Sequence, residues 1–243
     1  MLAGGIQTAL RVIYPARCLT CGSVVDSDFG LCGPCWRDTS FIGGTVCDCC
    51  GVPLPGVDQG DTPHCDACIE SPRPWAQGRA ALLYNDTGRK LVLALKHGDR
   101  QEIAHPAALW MADAVRGCLE PDTLIAPIPL HWLRMLKRRY NQSALLARAL
   151  AAQLQAEYCL NLLQRPKNTR SLEGQSRAER QETLRDAICV NPKLGEVIRS
   201  RPILLVDDVM TSGATLDVAT RALLQAQSGS VRIVTLARVA KDT

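Results

Sequence analysis

The stretch ILLVDDVMTSGAT, Ile203 to Thr215, runs four apolar residues into two adjacent aspartates and then into a short loop of Thr, Ser, Gly, Ala and Thr. The two carboxylates repel each other and would repel an anion, yet the loop behind them suits one. If it curls ahead of a helix, the amides of Ser212, Gly213, Ala214 and Thr215 converge at the positive end of the helix dipole. Gly213 leaves room for close approach, and Thr211, Ser212 and Thr215 add hydroxyls. A simple helix cap accounts for one Ser or Thr hydroxyl, but not for the run or for Asp207 and Asp208 upstream. Carboxylates pair with sugar hydroxyls and with hard cations such as Mg2+. A ligand with a phosphate at one end and a diol a short way off, a ribose 5-phosphate, uses both halves of the stretch.

Working outward, apolar strands alternate with helical segments. RAALLY reads as a strand, 87–97 and 103–116 as helices, DTLIAPIPL as a strand ending in a proline-rich loop, and NQSALLARALAAQLQ as a helix. A strand near 187–190, the strand ILLV, a helix to about Gln225 and a last strand VRIVTLARV complete the series. Strands of this kind separated by helices imply a parallel sheet covered on both faces, an α/β fold. Ligands then sit outside the carboxyl ends of the strands. A second strand end carries Ile128, Pro129 and Leu130, followed by His131, Arg134, Lys137, Arg138 and Arg139. That cationic end suits a second anionic group, such as a pyrophosphate on the anomeric carbon.

The front of the chain is different. Nine of the twelve cysteines lie between Cys18 and Cys68, as the pairs CLTC, CGPC, CDCC and CDAC. Two Cys-x-x-Cys pairs supply the four soft ligands of a closed tetrahedral zinc site. Cys18, Cys21, Cys32 and Cys35 make one set and Cys47, Cys50, Cys65 and Cys68 another, with a cross-braced alternative left open by spacing alone. Cys49 is spare, His64 is a neighbour of the second set, and Cys118, Cys159 and Cys189 read as small packing residues. ESPRPWAQGR (Glu70–Arg79) reads as a boundary, giving a cysteine-rich domain over 1–75 and an α/β domain over 76–243. The first holds four Arg and no Lys against eight acids, a formal −4, while the whole chain is +4, so phosphate-rich ligands favour the second. With 47% hydrophobic and 21% charged residues, no apolar run of membrane-spanning length and no signal-peptide pattern, the expectation is a cytoplasmic globular protein without membrane insertion.

ILLVDDVMTSGAT resembles the phosphoribosyl-pyrophosphate (PRPP) motif of type I phosphoribosyltransferases. APIPLHWLRMLKRRYNQSALLARALA, SRAERQETLRDAI and LVLALKHGDR resemble segments of the competence protein F (ComF) family, whose double zinc ribbon the cysteine-rich front is similar to. The resemblance implies a type I phosphoribosyltransferase-like parallel sheet flanked by helices, preceded by a small double zinc ribbon with two structural Zn2+. It implies Asp207 and Asp208 on the ribose hydroxyls with Mg2+, and Thr211, Ser212, Gly213, Ala214 and Thr215 on the 5-phosphate. Amides of Ile128–Leu130 would face the pyrophosphate, with Arg138 or Arg139 nearby. RPKNTRSLEGQSR would close over it through Arg165, Lys167 and Arg170. The implied activity is a glycosyltransferase reaction from Mg-PRPP to an unidentified acceptor. The alternative is a non-catalytic DNA-uptake protein holding single-stranded DNA or nucleotides, with competence helicase-type proteins as partners.

Overall fold

The computed structural model describes residues 15–26, 30–56, 62–131, 139–166 and 187–240. In chain order the strands are β1 (Gln77–Leu83), β2 (Leu124–Pro127), β3 (Glu157–Tyr158), β4 (Leu163–Gln164), β5 (Cys189–Val190), β6 (Ile203–Met210) and β7 (Val231–Arg238). The helices are α1 (Gly33–Arg37), α2 (Asp66–Glu70), α3 (Asp86–His97), α4 (Ala104–Val115), α5 (Gln142–Leu154) and α6 (Ala214–Gln225). Five strands form one parallel sheet in the order β1-β7-β6-β2-β3, and β4 pairs antiparallel with β5 as a separate small ribbon. No helix among the described residues is long and apolar enough to cross a membrane.

Alternation along the strands sends side chains to two cores. Leu204 and Val206 of β6 join Ile125, Val234 and Leu236 under α3, α4 and α5, which contribute Leu91, Leu95, Met111, Leu146 and Leu150. Ile203 and Leu205 face the other way, with Leu124, Ile233 and Leu216, Ala219 and Leu223 of α6. A strand buried on both faces is apolar at every position, which is why ILLV carries no polar residue. The second core also takes in Cys47, Cys49, Cys50, Cys68 and Trp75. A cysteine knuckle therefore covers part of the sheet face beside α6.

Winding reverses between β2 and β6. From β2 the chain moves outward to β3, and from β6 it moves the opposite way to β7. Such a switch point opens a crevice at the carboxyl ends of the two strands. The strand expected at ILLV continues through the acids to Met210, because β7 keeps pairing with it: Asp207 lies opposite Thr235 and Met210 opposite Arg238. On the other side β2 stops at Pro127, opposite Val206. Asp207 and Asp208 thus belong to a strand that overhangs the crevice, not to the loop after it. The outer edge of β1 is closed by residues 40–42: Ile42 N–H donates to Ala81 O and Leu83 N–H to Ser40 O, both at 2.9 Å. A covered edge offers no template for another chain.

Candidate functional site

The acids are held from one side of the sheet. Ser143, in the first turn of α5, donates its hydroxyl to Asp207 Oδ1 at 2.7 Å, and the Asp208 amide donates to the same oxygen at 2.9 Å. Lys96, in the last turn of α3, places Nζ 3.0 Å from Asp208 Oδ1. Burial and then the neighbouring Asp208 charge push Asp207 up to about 7, against the lowering effect of the Ser143 hydroxyl, Lys96 and the Asp208 amide. The pair therefore changes charge near neutrality. Carboxylate oxygens are the donor type a hard cation such as Mg2+ takes, but Asp207 Oδ1 already accepts two hydrogen bonds and Asp208 Oδ1 already pairs with Lys96.

One step further, Gly213 is the N-cap of α6 at φ +79°. Only glycine takes this backbone angle without strain, and a Cβ there would lie 3.1 Å from Trp75 Cη2 and 3.2 Å from Arg73 Nη1. A glycine cap has no side chain with which to satisfy the amides of the first turn. The helix-cap role considered for Ser or Thr from sequence falls instead to Gly213.

The Asn-Gln-Ser opening of α5 ties the crevice together. The Asn141 side chain accepts from the amides of Ser143 and Ala144 and donates to Ile128 O at 3.0 Å. Gln142 Nε2 donates to Lys96 O at 3.4 Å, and Tyr140 Oη to Leu95 O at 2.7 Å. Three consecutive side chains thus fix the end of β2, the turn bearing Lys96, and Asp207. The amide role expected for Ile128 and Pro129 does not fit this arrangement. The Ile128 N–H donates to Val206 O at 2.9 Å in the sheet ladder, and proline has no N–H. Of that segment, Leu130 has the amide that remains.

Arg139 is exposed, with φ +66°, and pairs with Asp99 at 3.2 Å. Arg165 is buried. Arg134, Lys137 and Arg138 of the basic run, and Lys167 and Arg170 of the segment RPKNTRSLEGQSR, lie outside the described residues. Sequence reasoning gave no role to Lys96, Ser143, Asn141, Arg73 or Arg238. The segments LKHGDR and NQS stood in the family-like stretches, and that was their one signal.

The cysteines gather into two sets, Cys18, Cys21, Cys32 and Cys35, and Cys47, Cys50, Cys65 and Cys68, each with sulfurs within 4.8 Å of one another. This is the sequential pairing, not the cross-braced one. Zn–S bonds of about 2.3 Å in a tetrahedron put sulfurs about 3.8 Å apart. Cys21 and Cys32 are 3.6 Å apart and Cys50 and Cys65 3.7 Å, so both sets fit Zn2+. His64 belongs to neither set, and Cys49 is buried with its carbonyl accepting from Trp75. The scattered cysteines are less buried than packing residues should be: Cys118 and Cys159 are partly exposed and Cys189, on β5, is exposed.

Residues 9–69 match the double zinc ribbon domain and residues 141–243 the phosphoribosyl transferase domain. Competence protein F of Haemophilus influenzae is 28% identical, over 91% of this chain and 96% of that protein. DNA utilization protein YhgH of Shigella flexneri is 28% identical, over 86% and 91%. Among solved structures, glutamine phosphoribosylpyrophosphate amidotransferase from B. subtilis superposes with a TM-score of 0.40 at 14% identity, covering 59% of this chain and 30% of that larger one. Over most of its length the chain is thus a homologue of competence protein F and of YhgH, with residues matching a phosphoribosyl transferase domain behind residues matching a double zinc ribbon.

Proposed function

We propose that the chain binds Mg-PRPP in the crevice between β2 and β6 and transfers its phosphoribosyl group to an acceptor, releasing pyrophosphate. The observation that carries this is the overhanging acid pair followed at once by a glycine-capped helix N-terminus at the sheet's switch point. In this reading the Thr211–Thr215 loop holds the 5-phosphate, and Asp207 and Asp208 take the ribose hydroxyls. Lys96 balances the acid charge before the ligand arrives. Asp207, raised toward neutrality by burial and by Asp208, would release its proton to solvent where the ribose hydroxyls donate to it and Mg2+ lies close by, although the ligand complex as a whole is anionic. When bound, Mg2+ supplies charge neutralisation for the diphosphate. In the transfer, the bond from C1 to the pyrophosphate oxygen breaks with its electron pair leaving on pyrophosphate. The acceptor's lone pair forms the new bond at C1, and its proton passes to solvent. Fixed donors and charges act by orientation and by stabilising the leaving anion. Eight cysteines gathered as zinc ligands suit a reducing compartment, the cytoplasm.

Titration calorimetry of PRPP with and without Mg2+ tests the site. Binding should require the metal and fall at least tenfold in the Asp207→Ala, Asp208→Ala double variant; unchanged affinity overturns the assignment. Pyrophosphate release over a panel of bases, amines and single-stranded oligonucleotides then separates transfer from holding. Oligonucleotides belong in that panel because relatives carry names of competence and DNA utilization.

A further inference from the structure

Two arginines join the second cysteine set to the phosphate loop. Arg238, at the end of β7 and 8% exposed, donates through Nη1 to Met210 O at 3.2 Å, Thr211 O at 2.8 Å and Val239 O at 2.5 Å. Its Nη2 lies 3.8 Å from Cys50 Sγ. Arg73, just past α2, donates from Nη1 to Ser212 O at 2.8 Å and lies over the Trp75 ring at 5.5 Å. Trp75 in turn donates from Nε1 to Cys49 O at 2.6 Å. The loop carbonyls of Thr211 and Ser212 are therefore held by cations on the cysteine side, as is that of Met210 at the end of β6, which also accepts the Val239 N–H at 3.0 Å.

This has a stereochemical consequence. In a trans peptide the carbonyl of one residue and the amide of the next point in opposite directions. Drawing the carbonyls of Met210, Thr211 and Ser212 toward the arginines turns the N–H groups of Thr211, Ser212 and Gly213 away from them. Two of them, those of Ser212 and Gly213, belong to the four-amide cradle, and they lead directly into the Ala214 and Thr215 amides at the start of α6. A planar guanidinium can serve carbonyls on one edge and a thiolate on the other, which a single ammonium cannot do. A Zn2+ held by four thiolates carries a net charge of about −2, for which Arg238 is a counter-ion.

We propose that Arg238 and Arg73 are positioning residues for the phosphate loop, and that the second zinc knuckle is the anchor against which they hold it. The first cysteine set has no such connection among the described residues. The effect on ligand binding rests on the function proposed above; the effect on the loop itself does not.

Hydrogen exchange on the zinc-loaded full chain tests the loop directly. Amides of Thr211–Thr215 should exchange at least tenfold faster in Arg238→Met and in Cys65→Ser, and at the wild-type rate in Cys32→Ser. Wild-type exchange in Arg238→Met overturns the proposal, and that variant keeps the test open if Cys65→Ser does not fold. Ribose 5-phosphate, titrated calorimetrically, should bind at least tenfold more weakly to both Arg238→Met and Arg238→Lys; full rescue by lysine would reduce Arg238 to a bare charge and also overturn it. Ribose 5-phosphate should also slow zinc release from the second set to a chelator in wild type but not in Arg238→Met, a ligand dependence that a purely structural arginine would not produce. If wild type fails to bind ribose 5-phosphate, the phosphate site is wrong, and the exchange comparison still decides the coupling.

Discussion

Replacing Asp207 by asparagine should make the ligand-free protein more stable while abolishing its function. In the folded chain Asp207 titrates near 7, against an ordinary value of 3.8. Below about pH 4 the carboxyl is protonated both folded and unfolded, and the two states do not differ. Between about 4 and 7 the unfolded chain has lost this proton and the folded chain keeps it, so stability falls as pH rises. Above 7 both forms are ionised and the penalty is constant. At about 1.4 kcal/mol for each pH unit, the ceiling is about 4 kcal/mol at pH 8 and about 2 kcal/mol at pH 5. Asp207 keeps some contact with solvent, so about half of that ceiling is the expected gain. The asparagine Oδ1 can still accept from Ser143 and from the Asp208 amide, so the local hydrogen bonds survive. For a chain of this length the melting midpoint should rise by about 4–8 °C at pH 8 and by about half as much at pH 5. Thermal melts at both pH values, paired with PRPP calorimetry, read out the two effects. A variant equally stabilised at both pH values, or destabilised at pH 8, would refute the account of a carboxylate held charged against its environment.

Other perturbations follow from the same geometry. Lys96→Met removes the cation beside the pair, so the midpoint of the pH profile for PRPP binding should move above 7, seen by calorimetry over a pH series; a midpoint that moves down refutes the role given to Lys96. Gly213→Ala forces a side chain into the φ +79° position against Trp75, at about 1–2 kcal/mol of backbone strain. Denaturant melts should show that loss, and ribose 5-phosphate affinity should fall with it. Metal analysis should return two zinc ions per chain, one after Cys65→Ser and still two after Cys49→Ala, because Cys49 lies outside both sulfur sets.

Much of the sheet was legible because its strands are buried on both faces and bounded by helices with clear apolar stripes. Leu91 and Leu95 on α3, and Leu146 and Leu150 on α5, sit where a period of 3.6 places them. The end of β6 was not legible. Nothing in DDVM distinguishes a loop from a strand still paired on one side, and the pairing comes from β7, 28 residues away at Arg238. Spacing likewise could not choose between sequential and cross-braced zinc, which only the fold of the knuckles resolves. Lys96 and Ser143 were invisible as site residues for a plain reason. A lysine ending a helix and a serine beginning one are ordinary solvated positions until the sheet sets them beside Asp207 and Asp208. Arg238 closes a strand whose sequence offers no hint that its guanidinium reaches a cysteine 188 residues earlier.

That separation governs the order of events when the chain is made. The cysteine knuckles leave the ribosome before the sheet does, yet the surface that the second of them covers is built from β6 and β7, far later in the chain. Zinc can close the knuckle locally within a few tens of residues, but docking must wait for nearly the whole chain. Contacts so distant in sequence form slowly and leave apolar surface open in the meantime. Early metal loading would shorten the list of things still to be done when the last strand arrives, whereas a zinc-starved cell would hold a nearly complete sheet with one flank bare. Yield of soluble protein should therefore track zinc supply during synthesis more closely than zinc supply afterwards.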